Sequence, residues 1–133
     1  MLFRSPNAKA KSRLKKDGLS KHPLFEAYLC KVDGKYAGYA IFLMTYASFI
    51  ALPTLFLEDL FVLEEHRKKG IGQKLLSHCI KFAKERNCGR VDLNVIDWNV
   101  NAINFYKKNN FKFINWELYR MEKDSIIRFG DSR

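Results

Sequence analysis

The 133-residue sequence has no long apolar run, only three cysteines and three prolines, and far fewer acidic than basic residues. No stretch reaches the roughly 18 apolar residues of a membrane-spanning helix, because glycine, serine and proline interrupt the longest candidate, residues 36–57. The cysteines, Cys30, Cys79 and Cys88, have no Cys-x-x-Cys spacing, so neither a disulfide framework nor a zinc site is expected. This pattern predicts a reducing compartment, hence a cytoplasmic protein without a bound metal.

The scarcity of acidic residues leaves a net charge of +10, from 24 Lys and Arg against 14 Asp and Glu. Such a charge favours anionic partners, such as phosphate-bearing cofactors, nucleic acids or anionic lipids. Residues 1–21 hold seven of the basic side chains and one acid, Asp17. Alternatives for this segment are a nucleic-acid-binding arm and a transit-like peptide. No aromatic side chains are interleaved for base stacking, so we favour a solvated segment that is partly helical or loose, and we expect neither a nucleic acid nor a membrane as partner.

The length fits one domain with its own core, since 47% of the residues are apolar and 11 are Phe. We expect a basic, partly ordered segment at residues 1–21, a folded domain at residues 22–123 and a frayed tail at residues 124–133. The sequence shows no internal repeat and no boundary within the domain.

Apolar periodicity predicts strands and helices along the folded domain. Asp33-Gly34 is a strong hairpin signal between the first two strands. A right-handed crossover through the first helix makes the third and fourth strands parallel. The predicted class is therefore α/β (α+β), a mixed sheet with one parallel step and a ligand crevice where helices leave the parallel strands. The strands are predicted at residues 27–32, 36–46, 55–63, 90–96, 111–115 and 117–122, the last two as an antiparallel pair, and the helices at 73–87 and 99–109.

Residues 57–76 combine a strand, a basic turn and the start of an amphipathic helix. The turn carries three basic residues at 67–69 and then Gly70 and Gly72. The unpaired amides of a helix's first turn and the helix dipole attract anions, and glycines let a phosphate approach the backbone. A lone glycine pair is more often only a tight turn. The order of strand, basic run, Gly-x-Gly and helix favours a phosphate-bearing ligand.

The sequence RKKGIG at residues 67–72 resembles the (Arg/Gln)-x-x-Gly-x-Gly/Ala signature of the GNAT acetyltransferases, which cradles the pyrophosphate of acetyl-CoA. The resemblance covers residues 22–123, where the sequence is similar to the spermidine/spermine (diamine/thialysine) N-acetyltransferase branch of the family. It implies the GNAT fold, a central mixed antiparallel/parallel twisted sheet flanked by helices, here lacking the usual N-terminal strand and helix. The pieces that carry it are HPLFEAYL (22–29), TYASF (45–49), LEDLFV (57–62), HRKKGIG (66–72), VIDWN (95–99) and INFYKKNNF (103–111).

The resemblance implies an enzyme with acetyl-CoA as co-substrate and no metal. It would move acetyl directly to a primary amine of a small amine, a diamine or polyamine, or a lysine-like amino acid. The pyrophosphate would lie on residues 67–72 and the pantetheine arm along the LEDLFV strand, which a β-bulge splays from its parallel neighbour. The implied cofactor-binding residues are Leu60, Phe61, Val62, Arg67, Lys68, Lys69, Gly70, Ile71, Gly72, Asn99 and Tyr106.

Three side chains are candidates for the chemistry and for acceptor binding. Glu58 is the predicted catalytic base, since a protonated amine must lose a proton before it attacks and burial would strengthen a carboxylate as a base. Asp59 is the candidate anchor for the acceptor, so Glu58 and Asp59 form the predicted substrate-binding pair. Tyr106 lies where the family often has its general acid, and an N–H freed by the bulge near Leu60 would hold the oxyanion. The structural alternative for Glu58 is a carboxylate that holds a neighbouring amide or base. The structural alternative for Tyr106 is an aromatic ring packed on the sheet.

Departures from the family pattern bear on the acceptor and on assembly. Ala47 and Phe49 stand where polyamine enzymes tend to have an acid and a tryptophan, and the +10 charge opposes polycations. We therefore expect a small amine, a thialysine-like amino acid or a diamine ahead of long polyamines. The resemblance implies a homodimer, with a free sheet edge and the loop at residues 49–55 as contacts. The alternatives are a protein or peptide lysine acetyltransferase, and a non-catalytic CoA- or nucleic-acid-binding module on a degenerate GNAT fold.

Overall fold

The computed structural model of the protein describes residues 7–131. The first helix begins after Asn7, whose Oδ1 accepts a hydrogen bond from the Ala10 N–H at 2.8 Å. The elements are α1 (Ala8–Leu19), β1 (Glu26–Val32), β2 (Lys35–Ala47), β3 (Leu52–Val62), a 3-10 turn (Glu64–His66), α2 (Ile71–Glu85), β4 (Arg90–Leu93), α3 (Val100–Lys108) and α4 (Lys123–Arg128).

The four strands form one sheet in the order β1-β2-β3-β4. β1 and β2 are an antiparallel hairpin whose turn residues, Asp33 and Gly34, both have positive φ, as a tight hairpin turn requires. β2 and β3 are also antiparallel, whereas β3 and β4 are parallel where residues 54–57 face residues 90–93. The predicted mixed sheet with one parallel step is confirmed.

Helix α2 packs across one face of the sheet because its apolar residues recur on one side. Leu75, Leu76 and Cys79 are buried against the strands. Just beyond the helix, the Arg86 guanidinium donates two hydrogen bonds of 2.6 Å to the Glu26 carboxylate at the start of β1. This bidentate ion pair fixes the C-terminal end of α2 to the first strand.

A β-bulge in β3 sets the direction of the side chains that follow it. Ile41 of β2 lies opposite Asp59 and the next residue of β2 lies opposite Leu57, so Glu58 is the extra residue. Side chains alternate across a regular strand, yet Leu57 and Leu60 are both buried in the core, because the bulge adds one residue between them. The bulge that the resemblance implies is therefore present, centred on Glu58.

Three local predictions need correction. The antiparallel pair at residues 111–115 and 117–122 is wrong, because residues 111–122 form neither strand nor helix. β-propensity expresses fit to a half-buried sheet, so β-formers without a partner strand stay irregular. The predicted frayed tail instead contains α4. In the loop at residues 49–55, Phe49 is 95% exposed, but Thr54 and Leu55 lie in the core and are unavailable as contacts.

Helix α1 occupies most of the basic segment that was predicted to be partly helical. None of its residues is buried, and its basic side chains are exposed. Within residues 7–131, no helix combines the length and the apolar character needed to cross a membrane. Residues 1–6 of the basic segment and residues 132–133 of the tail lie outside the described residues.

Gly38 of β2 allows the close approach of β3. A Cβ at this position would lie 2.6 Å from the backbone carbonyl oxygen of Phe61. We expect Gly38→Ala to lower the free energy of unfolding by about 1–3 kcal/mol, measured by urea denaturation. Gly72→Ala is the matched control, since its Cβ would meet Val62 and Phe105 at 3.8 and 3.9 Å, and its change should stay within about 0.5 kcal/mol. Equal stability of the two variants would contradict this prediction.

Candidate functional site

The turn between β3 and α2 presents backbone amides at the start of a helix. Gly70 is the N-cap, and the first helical hydrogen bond runs from the Lys74 N–H to the Gly70 carbonyl at 3.0 Å. The amides of residues 71–73 therefore precede this bond and lie at the positive end of the helix dipole. Such a turn is suited to a phosphate or pyrophosphate.

Gly70 keeps the space in front of this turn open. Its φ is +80°, in the left-handed region, and a Cβ built there meets no atom within 4 Å. Lys68 also has a positive φ of 62°. Left-handed residues within a turn curve the backbone amides into a concave nest that binds anions. A side chain at Gly70 would be strained and would occupy the space that a ligand needs.

The basic residues of the turn divide into one that supports the loop and two that face solvent. The Nε of Arg67 donates a hydrogen bond of 2.9 Å to the Val62 carbonyl, and the guanidinium lies 5.8 Å from the Phe61 ring centroid. Lys68 and Lys69 are exposed. Arg67 therefore ties the turn to the end of β3, while the two lysines supply positive charge at its surface.

Beyond the bulge, β3 and β4 separate. Their parallel ladder ends at Leu57 opposite Leu93, but β3 continues to Val62. Residues 58–62 thus have no strand beside them on that side within the described part of the chain. An open edge of this kind accepts an extended ligand arm by backbone pairing. The predicted residues Leu60, Phe61 and Val62 all lie on this edge.

The two adjacent carboxylates of β3 have different environments. Glu58 is exposed at the bulge, so the expectation that burial would strengthen it as a base is wrong. Asp59 is half-buried, and burial raises its pKa. Burial and then the charge of Asp59 raise the pKa of Tyr39 on β2, whose ring lies 5.7 Å from that of Phe61. A carboxylate beside aromatic rings is suited to an ammonium group.

Tyr106 of α3 lies in the core. Its ring makes edge-on contacts with Phe105 and Phe111, with centroids 5.2 and 5.4 Å away. Burial, followed by the nearby Cys79, raises the pKa of Tyr106 to about 12, so the phenol stays protonated in the neutral range. Burial also raises the pKa of Cys79 to about 11, which argues against this thiol as a nucleophile.

Helix α3 is held beside the amide turn. The Gln73 amide donates a hydrogen bond of 2.7 Å to the Asn109 side chain, which joins the first turn of α2 to the end of α3. Asn99, predicted to contact the cofactor, caps α3 with its Oδ1, which accepts the Ala102 N–H at 3.3 Å. The structure therefore gives Asn99 a helix-capping role.

The structure thus places the glycine turn, the open edge of β3 and the helix of Tyr106 in one region. Sequence reasoning missed Tyr39, which belongs to no motif. The hairpin turn sets the pairing of β2 with β1 only up to Tyr36, because a register shift follows between Lys31 and Cys30. The pairing of Tyr39 with Phe61 depends on the second hairpin and on the bulge at Glu58. Sequence reasoning also missed Gln73 and Asn109, which are 36 residues apart.

The sequence matches known proteins over most of its length. The model of the Acetyltransferase (GNAT) family matches residues 3–111. An L-ornithine N5-acetyltransferase of Arabidopsis thaliana is 43% identical over 91 residues, which cover 68% of this chain and 40% of that protein. A thialysine N-epsilon-acetyltransferase of Sus scrofa is 25% identical over 125 residues, covering 85% of this chain and 73% of that protein.

A solved structure shares the fold. An integron cassette protein from the mobile metagenome of V. cholerae superposes with a TM-score of 0.82 at 26% identity, over 93% of this chain and 77% of that one. The present chain therefore spans about 40% of the Arabidopsis relative and about three quarters of the Sus scrofa relative and of this structure. The family match over residues 3–111, together with the amide turn and the splayed parallel strands, shows that the chain belongs to the GNAT acetyltransferase family.

Proposed function

We propose that this protein transfers an acetyl group from acetyl-CoA directly to the primary amine of a small acceptor. The observation that carries the proposal is the open, left-handed Gly70 turn at the start of α2, beside the free edge of β3. The turn is suited to the pyrophosphate and the edge to the amide-bearing pantetheine arm. Membership of a family that uses acetyl-CoA as co-substrate supports both assignments.

The proposed acceptor is a diamine or a lysine-like amino acid with two amino groups. The relatives named above act on ornithine and thialysine, which are small amino acids of this kind. The net charge of +10 opposes the approach of a long polycation more than that of a singly charged amino acid. Charge therefore favours a small acceptor over spermidine or spermine.

Asp59 and Glu58 have separate proposed roles. The half-buried Asp59, beside Tyr39 and Phe61, pairs with the ammonium that is not acetylated. The exposed Glu58, at the bulge, accepts the proton of the attacking amine through water. A backbone N–H near Leu60 on the free edge of β3 stabilises the oxyanion.

Tyr106 is the proposed acid for the departing thiolate. Its phenol is protonated at neutral pH, because burial raises its pKa to about 12. Full transfer to a thiolate of pKa about 8.5 is uphill, so the phenol acts as a hydrogen-bond donor while the C–S bond breaks. Acetyl then resides on the acceptor nitrogen, and CoA leaves as a thiolate hydrogen-bonded to the phenol. The proton that the amine gives to Glu58 through water returns through solvent to the thiolate.

A reducing compartment and a homodimer complete the proposal. Cys30, Cys79 and Cys88 are free thiols, which is typical of cytoplasmic proteins. The resemblance to the spermidine/spermine branch is the basis for the homodimer.

The turn is tested with two substitutions at one residue. Gly70→Asp and Gly70→Asn put side chains of the same shape in the open space, and Asn tolerates a left-handed φ. Only Asp adds a negative charge against the pyrophosphate. The Gly70→Asp variant should therefore bind acetyl-CoA at least about tenfold more weakly than the Gly70→Asn variant does. Calorimetry measures both, with circular dichroism to check folding. Equal affinities would place the pyrophosphate elsewhere.

The acceptor is tested by release of free thiol from acetyl-CoA with a panel of amines. We expect ornithine, thialysine and short diamines to have a higher kcat/KM than spermidine or a lysine-bearing peptide. A peptide that exceeds every small amine would support protein acetylation instead. Binding of acetyl-CoA without turnover of any amine would support the non-catalytic alternative.

The proposed roles of Asp59 and Glu58 are distinguished by the kinetic constants that each substitution changes. Asp59→Asn should raise the KM of the acceptor about tenfold, and Glu58→Gln should lower kcat about 10²-fold. The folded pKa of Asp59 is raised, so its ionised form opposes folding above that pKa, and Asp59→Asn should not lower Tm at pH 7. In the wild type the acceptor's KM should rise as pH falls through this pKa. If Asp59→Asn lowers kcat and Glu58→Gln raises the KM of the acceptor instead, the two roles are reversed.

Tyr106→Phe keeps the buried ring and removes its hydroxyl. We expect kcat to fall by roughly 10²-fold with little change in acetyl-CoA affinity, because a general acid acts only in the transition state. The deficit should shrink at higher pH, where the thiolate leaves without a proton. If Tyr106→Phe keeps the wild-type kcat at pH 7 while the chemical step limits the rate, the Tyr106 ring serves only to pack the core.

A further inference from the structure

Gln73 presents two polar groups to two different parts of the molecule. Its backbone N–H belongs to the three amides, at residues 71–73, that precede the first helical hydrogen bond of α2. Its side-chain amide donates a hydrogen bond of 2.7 Å to the Oδ1 of Asn109, which lies 36 residues further along the chain. A single residue therefore connects the proposed pyrophosphate site to the end of α3.

Asn109 extends this contact to the last turn of α3. It is the C-cap of the helix, and its Nδ2 donates a hydrogen bond of 2.9 Å to the Phe105 carbonyl. Its backbone N–H donates a hydrogen bond of 3.0 Å to the Tyr106 carbonyl. Because the oxygen and the nitrogen of its side-chain amide both have partners, one orientation of that amide satisfies all these bonds. Asn109 thereby ties Gln73 to the backbone of Phe105 and Tyr106.

An apolar contact lies beside this hydrogen bond. A Cβ built on Gly72 would meet the Phe105 ring at 3.9 Å, so this ring lies close to the amide turn. The centroid of the same ring is 5.2 Å from that of the Tyr106 ring. The turn thus contacts α3 through an aromatic ring and a side-chain hydrogen bond, and both contacts lie next to Tyr106.

Helix α3 has little other packing that fixes its position. Tyr106 is the one buried residue among the nine residues of the helix. An element with few buried side chains opens locally at a low free-energy cost, so its order depends on individual polar contacts. The hydrogen bond between Gln73 and Asn109 is exposed and competes with water. Its contribution therefore depends on how rigidly the first turn of α2 holds Gln73.

We propose that Gln73 and Asn109 are positioning residues that couple the binding of an anion at the amide turn to the order of α3, and hence to the placement of Tyr106. An anion bound to the amides of residues 71–73 holds the first turn of α2 rigid, and this keeps the Gln73 side chain against Asn109. Coupling between two sites is reciprocal, so an ordered α3 also strengthens anion binding. The inference rests on the proposed function for the anion at the turn and for the role of Tyr106.

Hydrogen exchange tests the coupling without any turnover. Inorganic pyrophosphate is the probe, because it occupies the amide turn without a pantetheine arm that would itself contact α3. In the wild type, saturating pyrophosphate should slow exchange at residues 71–73 and should also slow exchange at residues 105–111 about fivefold. In Gln73→Met and in Asn109→Leu, it should still slow exchange at residues 71–73, whose backbone is unchanged, but not at residues 105–111.

Asn104→Leu is the matched control for Asn109→Leu, since Asn104 is an exposed residue of the same helix. Pyrophosphate should slow exchange at residues 105–111 of this variant as it does in the wild type. Protection of residues 71–73 in the two test variants shows that both are folded. The proposal is overturned if pyrophosphate leaves residues 71–73 of the wild type unprotected, or if it still protects residues 105–111 in both test variants.

Kinetics test whether the coupling acts through Tyr106. With acetyl-CoA, Asn109→Leu should lower kcat about fivefold at pH 7, and the loss should shrink at higher pH, as is expected for Tyr106→Phe. In the Tyr106→Phe background, Asn109→Leu should not lower kcat further, because the group that it positions is gone. An equal loss of kcat in both backgrounds and at every pH would show a purely structural role and would overturn the proposal.

The two experiments separate failure of the coupling from failure of the proposed function. If no amine is acetylated, the proposed function is refuted, and the exchange experiment with pyrophosphate still decides whether the turn and α3 are coupled. If an amine is acetylated but pyrophosphate does not protect residues 105–111 of the wild type, the coupling alone is refuted.

Discussion

The β-bulge at Glu58 is the constraint on which the rest of the site depends. One additional residue turns Leu57 and Leu60 to the same side, where both join the core under α2. Asp59 is consequently held on the other side, near Tyr39, whose ring lies 5.7 Å from that of Phe61. Just before the bulge β4 ends its ladder with β3, which leaves residues 58–62 without a strand on that side in the described part of the chain. Core packing, carboxylate placement and the open edge of β3 therefore have a common origin.

The second feature is a helix that begins at the point where the free edge ends. β3 stops at Val62, Arg67 binds its last carbonyl, and α2 starts four residues later. This short connection places the amide turn next to the open edge of β3, and the proposed acetyl-CoA would reach both. Gln73 and Asn109 then hold α3 against the same turn. The geometry suits a long, flexible cofactor with a charged group at one end.

Exposed apolar side chains and the excess of positive charge lie in different parts of this chain. α1 is basic and exposed, whereas residues 112–122 hold six exposed large apolar side chains and no net charge. Like charges oppose self-association of a protein with net charge +10, and a neutral segment lowers that cost. The free edge of β4 lies next to this segment. A homodimer that buried this segment would use a part of the surface where repulsion between like charges is small.

The sequence by itself determined the local features. The apolar periods predicted the four strands and two of the helices, Asp33-Gly34 predicted the hairpin, and the basic Gly-x-Gly run predicted the amide turn at the start of α2, because each depends on neighbouring residues. The tertiary structure decided the burial of Asp59 and Tyr106, the exposure of Glu58 and the pairing of Tyr39 with Phe61. It also decided that residues 111–122 form no strand on their own chain. Burial and strand pairing depend on distant residues, whose contacts follow from register and packing and leave no local pattern.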